Sequence, residues 1–467
     1  MSAASRLAGA TLVLALTTIG FPGPVFAAGP PSIDPGALGA AIAASGGGAP
    51  DVTEQRSVCA EPKLAGDPPR DPPQSQRLLD LPAAWQFSRG AGQKVAVIDT
   101  GVSSHPRLRA VQPGGDFVSN SDGTDDCDGH GTLVAGLIAA QPSPEDGFAG
   151  VAPDAEILAI RQLSLAFEAK DRGRSDEPGK IASAGYGNVM TLAASVVRAV
   201  DMGATVLNIS EVACATGGSD PADAALGAAV KYAYDRNVVV VTAAGNIAQG
   251  GACAAQNDGT GWAAVKTVVS PARFSPYVLP VASVDPDGKP SDFTIHGPWV
   301  GVAAPGRGIV SLDSSPGATG VVDSVQTSEG TGSIDGTSFS SAYVAGLAAL
   351  VRARFPELSA QQVMDRITRT AMQPGPGRDD RLGAGLIDPL AALTAQLPAQ
   401  PIAVGADVAR QLPAPAPPAY VDPAPGRIAI IGTLVLLALL AVGFALSIPF
   451  RGRRNRSDPA DETREGL

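Results

Sequence analysis

Aromatic side chains are scarce in this chain, at 4% of its 467 residues. Hydrophobic content is still 45%, so a core must be built from Ala, Val, Leu and Ile. Histidine occurs three times, at the scattered positions His105, His130 and His296. The four cysteines include no close pair. Together these offer no zinc-type ligand spacing, and the expectation is no metal. Net positive charge is missing too. A formal charge of −11 argues against a general nucleic-acid binder, which needs a basic footprint. Glycine and proline, at 55 and 41, are plentiful and concentrate in loops and near the ends.

Long apolar runs stand at both ends. Arg6, the apolar stretch Leu7 to Ile19 and the small-residue site Val25-Phe26-Ala27 have the layout of a signal peptide. The stretch is short for a span and Pro22 and Pro24 follow it, which favours cleavage over a retained anchor. Ile428 to Phe450 is almost wholly apolar, about long enough to cross a bilayer core. Arg451, Arg453, Arg454 and Arg456 follow at once and keep that end in the cytoplasm by the positive-inside rule. The expected organisation is therefore a signal peptide over 1–27, an N-terminal extension over 28–80 that wraps the main domain, that domain over 81–394, a Pro-rich linker over 395–426, a transmembrane helix over 427–450 and a cytoplasmic tail over 451–467. The main domain then lies outside the cytoplasmic membrane. An exported chain with four cysteines is expected to hold two disulfides, in one of three pairings.

Between the ends, short apolar runs alternate with helical patterns. Strands are expected at Lys94–Ile98, Glu156–Arg161, Thr205–Ile209, Val238–Thr242, Val278–Val284 and Trp299–Ala303. Helices are expected after His130, at Met190–Met202 and Asp220–Asp235, and from Ser338. The stretch from Gly101 to Asp128 looks like a polar, Gly-rich loop, the run Leu133–Ala140 like an amphipathic helix, and Ser164–Asn188 like a surface insertion. This is the pattern of an α/β fold, a doubly wound, mostly parallel sheet with helices on both faces. Sites in such folds form at the carboxyl ends of strands. Asp99 and Asn246 lie just past two such ends, and His130 and Ser338 at helix starts, so the four are expected at one sheet edge.

Ser338 alone could simply cap its helix. In company it fits a nucleophile. A serine hydroxyl needs a base in reach, His130, and the base needs a carboxylate, Asp99, to fix its tautomer and stabilise its cation. Asn246 can donate to a developing oxyanion. No cofactor is required for this chemistry. His105, among Ser103, Ser104 and Pro106, is expected to be a loop residue and His296 to be structural. Asp128 is adjacent to the base but poorly placed to orient it. Asp335 is expected to serve a turn, and Ser340 and Ser341 to pack.

Val97-Ile98-Asp99-Thr100-Gly101, His130-Gly131-Thr132, Ala243-Ala244-Gly245-Asn246 and Gly336-Thr337-Ser338 stand in that order, and the chain resembles the subtilisin family of serine proteases. The Asp, His, Ser order is that family's. Gly150-Val151-Ala152-Pro153 and Ala304-Pro305-Gly306 are similar to its turns. With the N-terminal arm, the C-terminal apolar helix, the cysteine pattern, Leu81-Pro82-Ala83-Ala84-Trp85 and Asn208-Ile209-Ser210-Glu211-Val212-Ala213-Cys214, the chain resembles the mycosins in particular. That resemblance implies a membrane-anchored endopeptidase of a type VII secretion system, cutting exported protein substrates and helping to keep the membrane complex assembled. It also implies that Ser210 borders the substrate cleft. A rival role is that of a structural component with little required proteolysis.

Two departures from secreted subtilisins stand out. Residues 28–80 are short and Pro-rich, unlike a folded inhibitory propeptide. Glu211 replaces a small apolar residue, and its ordinary role would be a solvated or arm-paired carboxylate, its sharper one a barrier to acidic substrate side chains. Cys214 and Cys253 follow strands joined by one crossover helix, so their loops share an edge and pair. Cys59 is left with Cys127, which staples the arm near His130.

Overall fold

The computed structural model describes residues 28–171, 185–248, 251–327, 330–374, 377–397, 431–440 and 442–444. It divides into two units, residues 1–397 and 398–467. In the second, 431–440 and 442–444 are helical. Among the described residues, no helix is long and apolar enough to cross a membrane. The rest of the expected span, the signal peptide, the linker beyond 397 and the tail lie outside the described residues.

The first unit is built on seven strands: β1 (Lys94–Asp99), β2 (Val111–Asp116), β3 (Glu156–Arg161), β4 (Val206–Ile209), β5 (Val239–Ala243), β6 (Leu279–Val284) and β7 (Val302–Pro305). They form one sheet in the order β7-β6-β5-β4-β1-β3-β2, and every pair is parallel. Alternate side chains of β1 show why the strands are apolar throughout. Val95 and Val97 join the core that holds helices α1 (His130–Ala139) and α4 (Thr337–Arg354). Ala96 and Ile98 join the opposite core, with α2 (Val189–Asp201) and α3 (Ala224–Asp235). A strand covered on both faces has no polar side to show.

The chain leaves β1 in one direction for β2 and β3 and continues on the other side with β4. The crevice beyond the carboxyl ends of β1 and β4 is therefore the switch point of the sheet, where such folds bind ligands.

Two expectations need correction. The run after His130 is not amphipathic. α1 is buried from Gly131 to Ala139, and its small side chains let it sit within the core. The supposed loop between Gly101 and Asp128 contains β2. Its Pro113, Gly114 and Gly115 disguise it, and they are tolerated because β2 is an edge strand with an irregular register.

The N-terminal arm is part of the first unit and packs against its sheet domain. Helix Leu38–Ala44 buries Ala41 in the α2/α3 core. Thr53–Gln55 pairs with Phe167–Ala169, and Glu61–Lys63 with Ser324–Gln326. The disulfides are Cys59–Cys127 and Cys214–Cys253.

Glycine is required where α1 meets β1. A Cβ on Gly131 would lie 2.0 Å from the Gly101 carbonyl oxygen and 3.1 Å from Asp99 Cβ. The first is a backbone carbonyl just past β1 and the second is the Cβ atom fixed to the backbone of Asp99, so neither can swing aside. Gly131→Ala should therefore lower the midpoint of urea unfolding, with an overpacking cost of about 1–3 kcal/mol, and should depress peptidase activity more than stability. Equilibrium unfolding and activity measured on one preparation check both parts.

Candidate active site

Asp99 ends β1 with no exposed surface. Its Oδ1 accepts from Thr100 N at 2.7 Å and lies 2.7 Å from His130 Nδ1. A carboxylate can only accept, so the shared proton sits on Nδ1 and Nε2 is left to face the cleft. Asp99 Oδ2 is buried without a hydrogen-bond partner among the described residues, so its charge is little dispersed.

His130 opens α1, and a second carboxylate holds that opening in place. Asp126 Oδ1 accepts from Thr100 Oγ1 and Gly129 N, each at 2.8 Å. Its Oδ2 accepts from Thr132 N at 2.8 Å and Thr132 Oγ1 at 2.6 Å. Thr132 is the third helical residue, so Asp126 does the work of an N-cap from outside the helix. It ties the end of β1 to the start of α1. Sequence reasoning missed this residue; the available signal was a capping-type acid a few positions before an apolar helix. Burial and the negative Asp99 push Asp126 up to about 6, against the bonds from Thr132 and Thr100.

Ser338 is the second residue of α4, whose N-cap is Gly336 with φ of 156°. The backbone N–H groups of a first helical turn have no partner within the helix. Ser338 is 6% exposed and its Oγ donates to the Ser210 carbonyl at 3.3 Å. The ring of Phe339 lies 5.1 Å from that of His130, which brings the two helix starts together. Asn246, just past β5, has its amide oxygen fixed by Thr337 N at 3.0 Å and Thr337 Oγ1 at 2.9 Å. Two donors on the oxygen leave the NH₂ group turned away from them and free to donate. Ser210 is buried and its Oγ accepts from Asn208 Nδ2 at 2.7 Å. All five residues singled out from the sequence thus meet at the switch point.

Glu211 keeps partial exposure and, among the described residues, its ion-pair neighbour is His130 and not a residue of the arm. Its Oε1 lies 3.8 Å from His130 Nδ1, and both side chains are 25% exposed. Burial would lower the His130 imidazolium. The charge and hydrogen bond of Asp99, aided by Glu211 and Asp126, outweigh it and push the group up to about 10. Glu211 itself is pushed up by burial and by the negative Asp99 and Asp128, against the pull of His130, to about 7.

The remaining candidates are scaffolding. His105 is buried, with Nδ1 accepting from Arg107 N at 3.1 Å. The backbone of His296 is bonded to Gln256 and Asn257. Asp128 accepts from Ser164 Oγ and Leu165 N. Asp335 accepts from Gly308 N and Ser333 Oγ. Ser340 and Ser341 are buried and bond to backbone carbonyls.

Comparison with known proteins agrees with this geometry. The profile of the subtilase family matches residues 90–385. Mycosin-1 of Mycobacterium tuberculosis (strain ATCC 25618 / H37Rv) is 45% identical over 451 residues, covering 94% of this chain and 96% of that protein. The chain belongs to the mycosins, within the subtilase family. A crystal structure of MycP1 from Mycobacterium smegmatis superposes with a TM-score of 0.72 at 43% identity, covering 80% of this chain and 97% of the other. A chain of an intact ESX-5 inner membrane complex gives 0.73 at 40% identity, covering 90% and 100%. This mycosin is accordingly a serine endopeptidase of the subtilisin type.

Asp126 offers a test of how the site is held. In Asp126→Asn one oxygen becomes an NH₂ that faces a backbone N–H and a threonine hydroxyl; the hydroxyl can turn to accept, but the N–H loses its partner. The expected result is a fall in kcat of tenfold or more with KM little changed, and a stability loss of about 1–3 kcal/mol. Steady-state kinetics on a peptide substrate, beside a thermal melt, measure the two.

Proposed function

We propose that this mycosin cleaves exported protein substrates outside the cytoplasmic membrane, with Asp99, His130 and Ser338 as its triad and Asn246 as oxyanion donor. The observation that carries the assignment is the 2.7 Å Asp99–His130 bond set beside the first turn of α4, with the Asn246 amide turned toward it. The Ser338 hydroxyl turns from the Ser210 carbonyl to His130 Nε2, which takes its proton as Oγ attacks the scissile carbonyl. The Ser338 N–H and the Asn246 NH₂ hold the oxyanion. His130 then gives its proton to the leaving amine, and water hydrolyses the acyl-enzyme by the same steps in reverse order. Ser210 borders the bound peptide.

The segment 427–450, apolar from Ile428, anchors the enzyme, with 451–467 in the cytoplasm and the Pro-rich linker 395–426 holding the catalytic domain off the bilayer. The signal peptide 1–27 is removed and the arm 28–80 stays attached. Likeness to chains of the ESX-5 inner membrane complex and of its periplasmic assembly supports a place in a type VII secretion complex. The same likeness favours a second role, support of that complex independent of cleavage.

Ser338→Ala separates the roles. In a deletion strain it should leave the exported substrate uncut while secretion continues; loss of secretion as well would make proteolysis itself the required step. Asn246→Ala should keep substrate binding and lose roughly 100- to 1,000-fold in kcat, measured on a synthetic peptide.

A further inference from the structure

A serine-hydrolase triad needs one carboxylate on its histidine, and this site supplies two. Oxygen atoms of Asp99 and Glu211 and a ring nitrogen of His130 lie within 4.8 Å of one another. Asp99 holds Nδ1 at 2.7 Å and Glu211 Oε1 stands 3.8 Å from the same nitrogen. Among the described residues, His130 is the only cationic group within ion-pair distance of Glu211. Ser210, the residue before Glu211, takes the hydroxyl of Ser338 at 3.3 Å. One dipeptide therefore engages the base with its side chain and the nucleophile with its backbone.

We propose that Glu211 is a positioning residue that restrains the resting enzyme, clamping His130 in its cationic form while the Ser210 carbonyl keeps the Ser338 hydroxyl. This inference rests on the triad assignment given above.

Among the described residues, the charges that face the pair are all acidic. Asp99 comes from the end of β1, Asp126 and Asp128 from the loop before α1, and α4 contributes only the uncharged Phe339 ring. The second carboxylate has two opposed effects. Once ionised, from about pH 7 upward, it stabilises the resting imidazolium, which cannot take the Ser338 proton, so less of the enzyme is competent. At alkaline pH, where His130 is neutral at rest, the same charge stabilises the imidazolium that forms in the transition state. The sign follows directly. His130 is raised above its ordinary value, so the competent neutral fraction grows only as pH rises toward about 10. Removing the Glu211 charge should move that rise to lower pH and reduce the plateau above it. A residue that merely packs against the ring would scale the whole profile by one factor.

The test uses the full-length chain in detergent. The second-order rate of phosphonylation of Ser338 by a fluorophosphonate is followed from pH 5 to 10.5 in the native protein, Glu211→Gln and Glu211→Asp. Glu211→Gln should lower the midpoint of the rise by about one unit, label faster at pH 7 by a factor of less than about ten because the plateau also falls, and label more slowly than native above pH 10. Glu211→Asp, which keeps the charge, should stay near the native midpoint. Superimposable midpoints, or a Glu211→Gln profile slower by one factor at every pH, would overturn the proposal. Should Glu211→Gln not fold, the native protein carries the test through its three histidines. An NMR titration should find one still protonated above pH 8, and all three titrating near their ordinary value would overturn the proposal. No labelling of native Ser338 at any pH would overturn the triad assignment, and this inference with it.

Discussion

A carboxylate with no exposed surface ends β1, beside the central strand of the sheet, and the site depends on how its charge is answered. Burying the Asp99 carboxylate is costly unless partners meet it. Thr100 N and His130 Nδ1 both bind one oxygen, while the other has no partner among the described residues. The unanswered charge is directed at the imidazole, which is therefore both oriented and strongly favoured as a cation. The surroundings serve this one bond. Gly131 lets α1 approach β1, Asp126 secures the first turn of α1 to Thr100, and both disulfides close loops at the same end of the sheet.

The sheet explains why the other groups arrive there. Parallel strands all point their carboxyl ends one way, so residues distant in sequence can share an edge. Asp99 ends β1, and Ser210 and Asn246 come just after β4 and β5; the three strands are neighbours or next neighbours in the sheet. Ser338 reaches them on a helix whose first turn brings unpaired N–H groups and the positive end of its dipole. The low aromatic content fits this arrangement. The two central helices, α1 and α4, are buried along most of their length, and small side chains such as Ala135, Gly136, Ala345 and Gly346 let them pack close to the sheet.

Much of this was legible in the sequence. Continuous Val, Ile and Ala runs mark strands covered on both faces, and six of the seven sheet strands could be placed from them. Asp99, His130, Ser338 and Asn246 stand in short motifs, Cys214–Cys253 follows from strand adjacency and Cys59–Cys127 from what is left. What escaped depends on tertiary context. β2 carries proline and glycine that only an edge position tolerates. α1 lacks a polar face because it lies inside the domain, which periodicity does not reveal. Asp126 acts through four hydrogen bonds to residues on two elements, and Glu211 is near His130 only because the chain turns after β4 toward α1. In each case a local pattern allowed several environments and packing chose one.

A crystal structure with a peptide boronate bound tests the central claim most directly. Boron takes a serine oxygen to form a tetrahedral adduct like the first intermediate. The account predicts boron bonded to Ser338 Oγ, one boronate oxygen within hydrogen-bonding distance of Asn246 Nδ2 and Ser338 N, and His130 still bonded to Asp99. A boronate bound elsewhere, with Ser338 Oγ remaining on the Ser210 carbonyl, would contradict it.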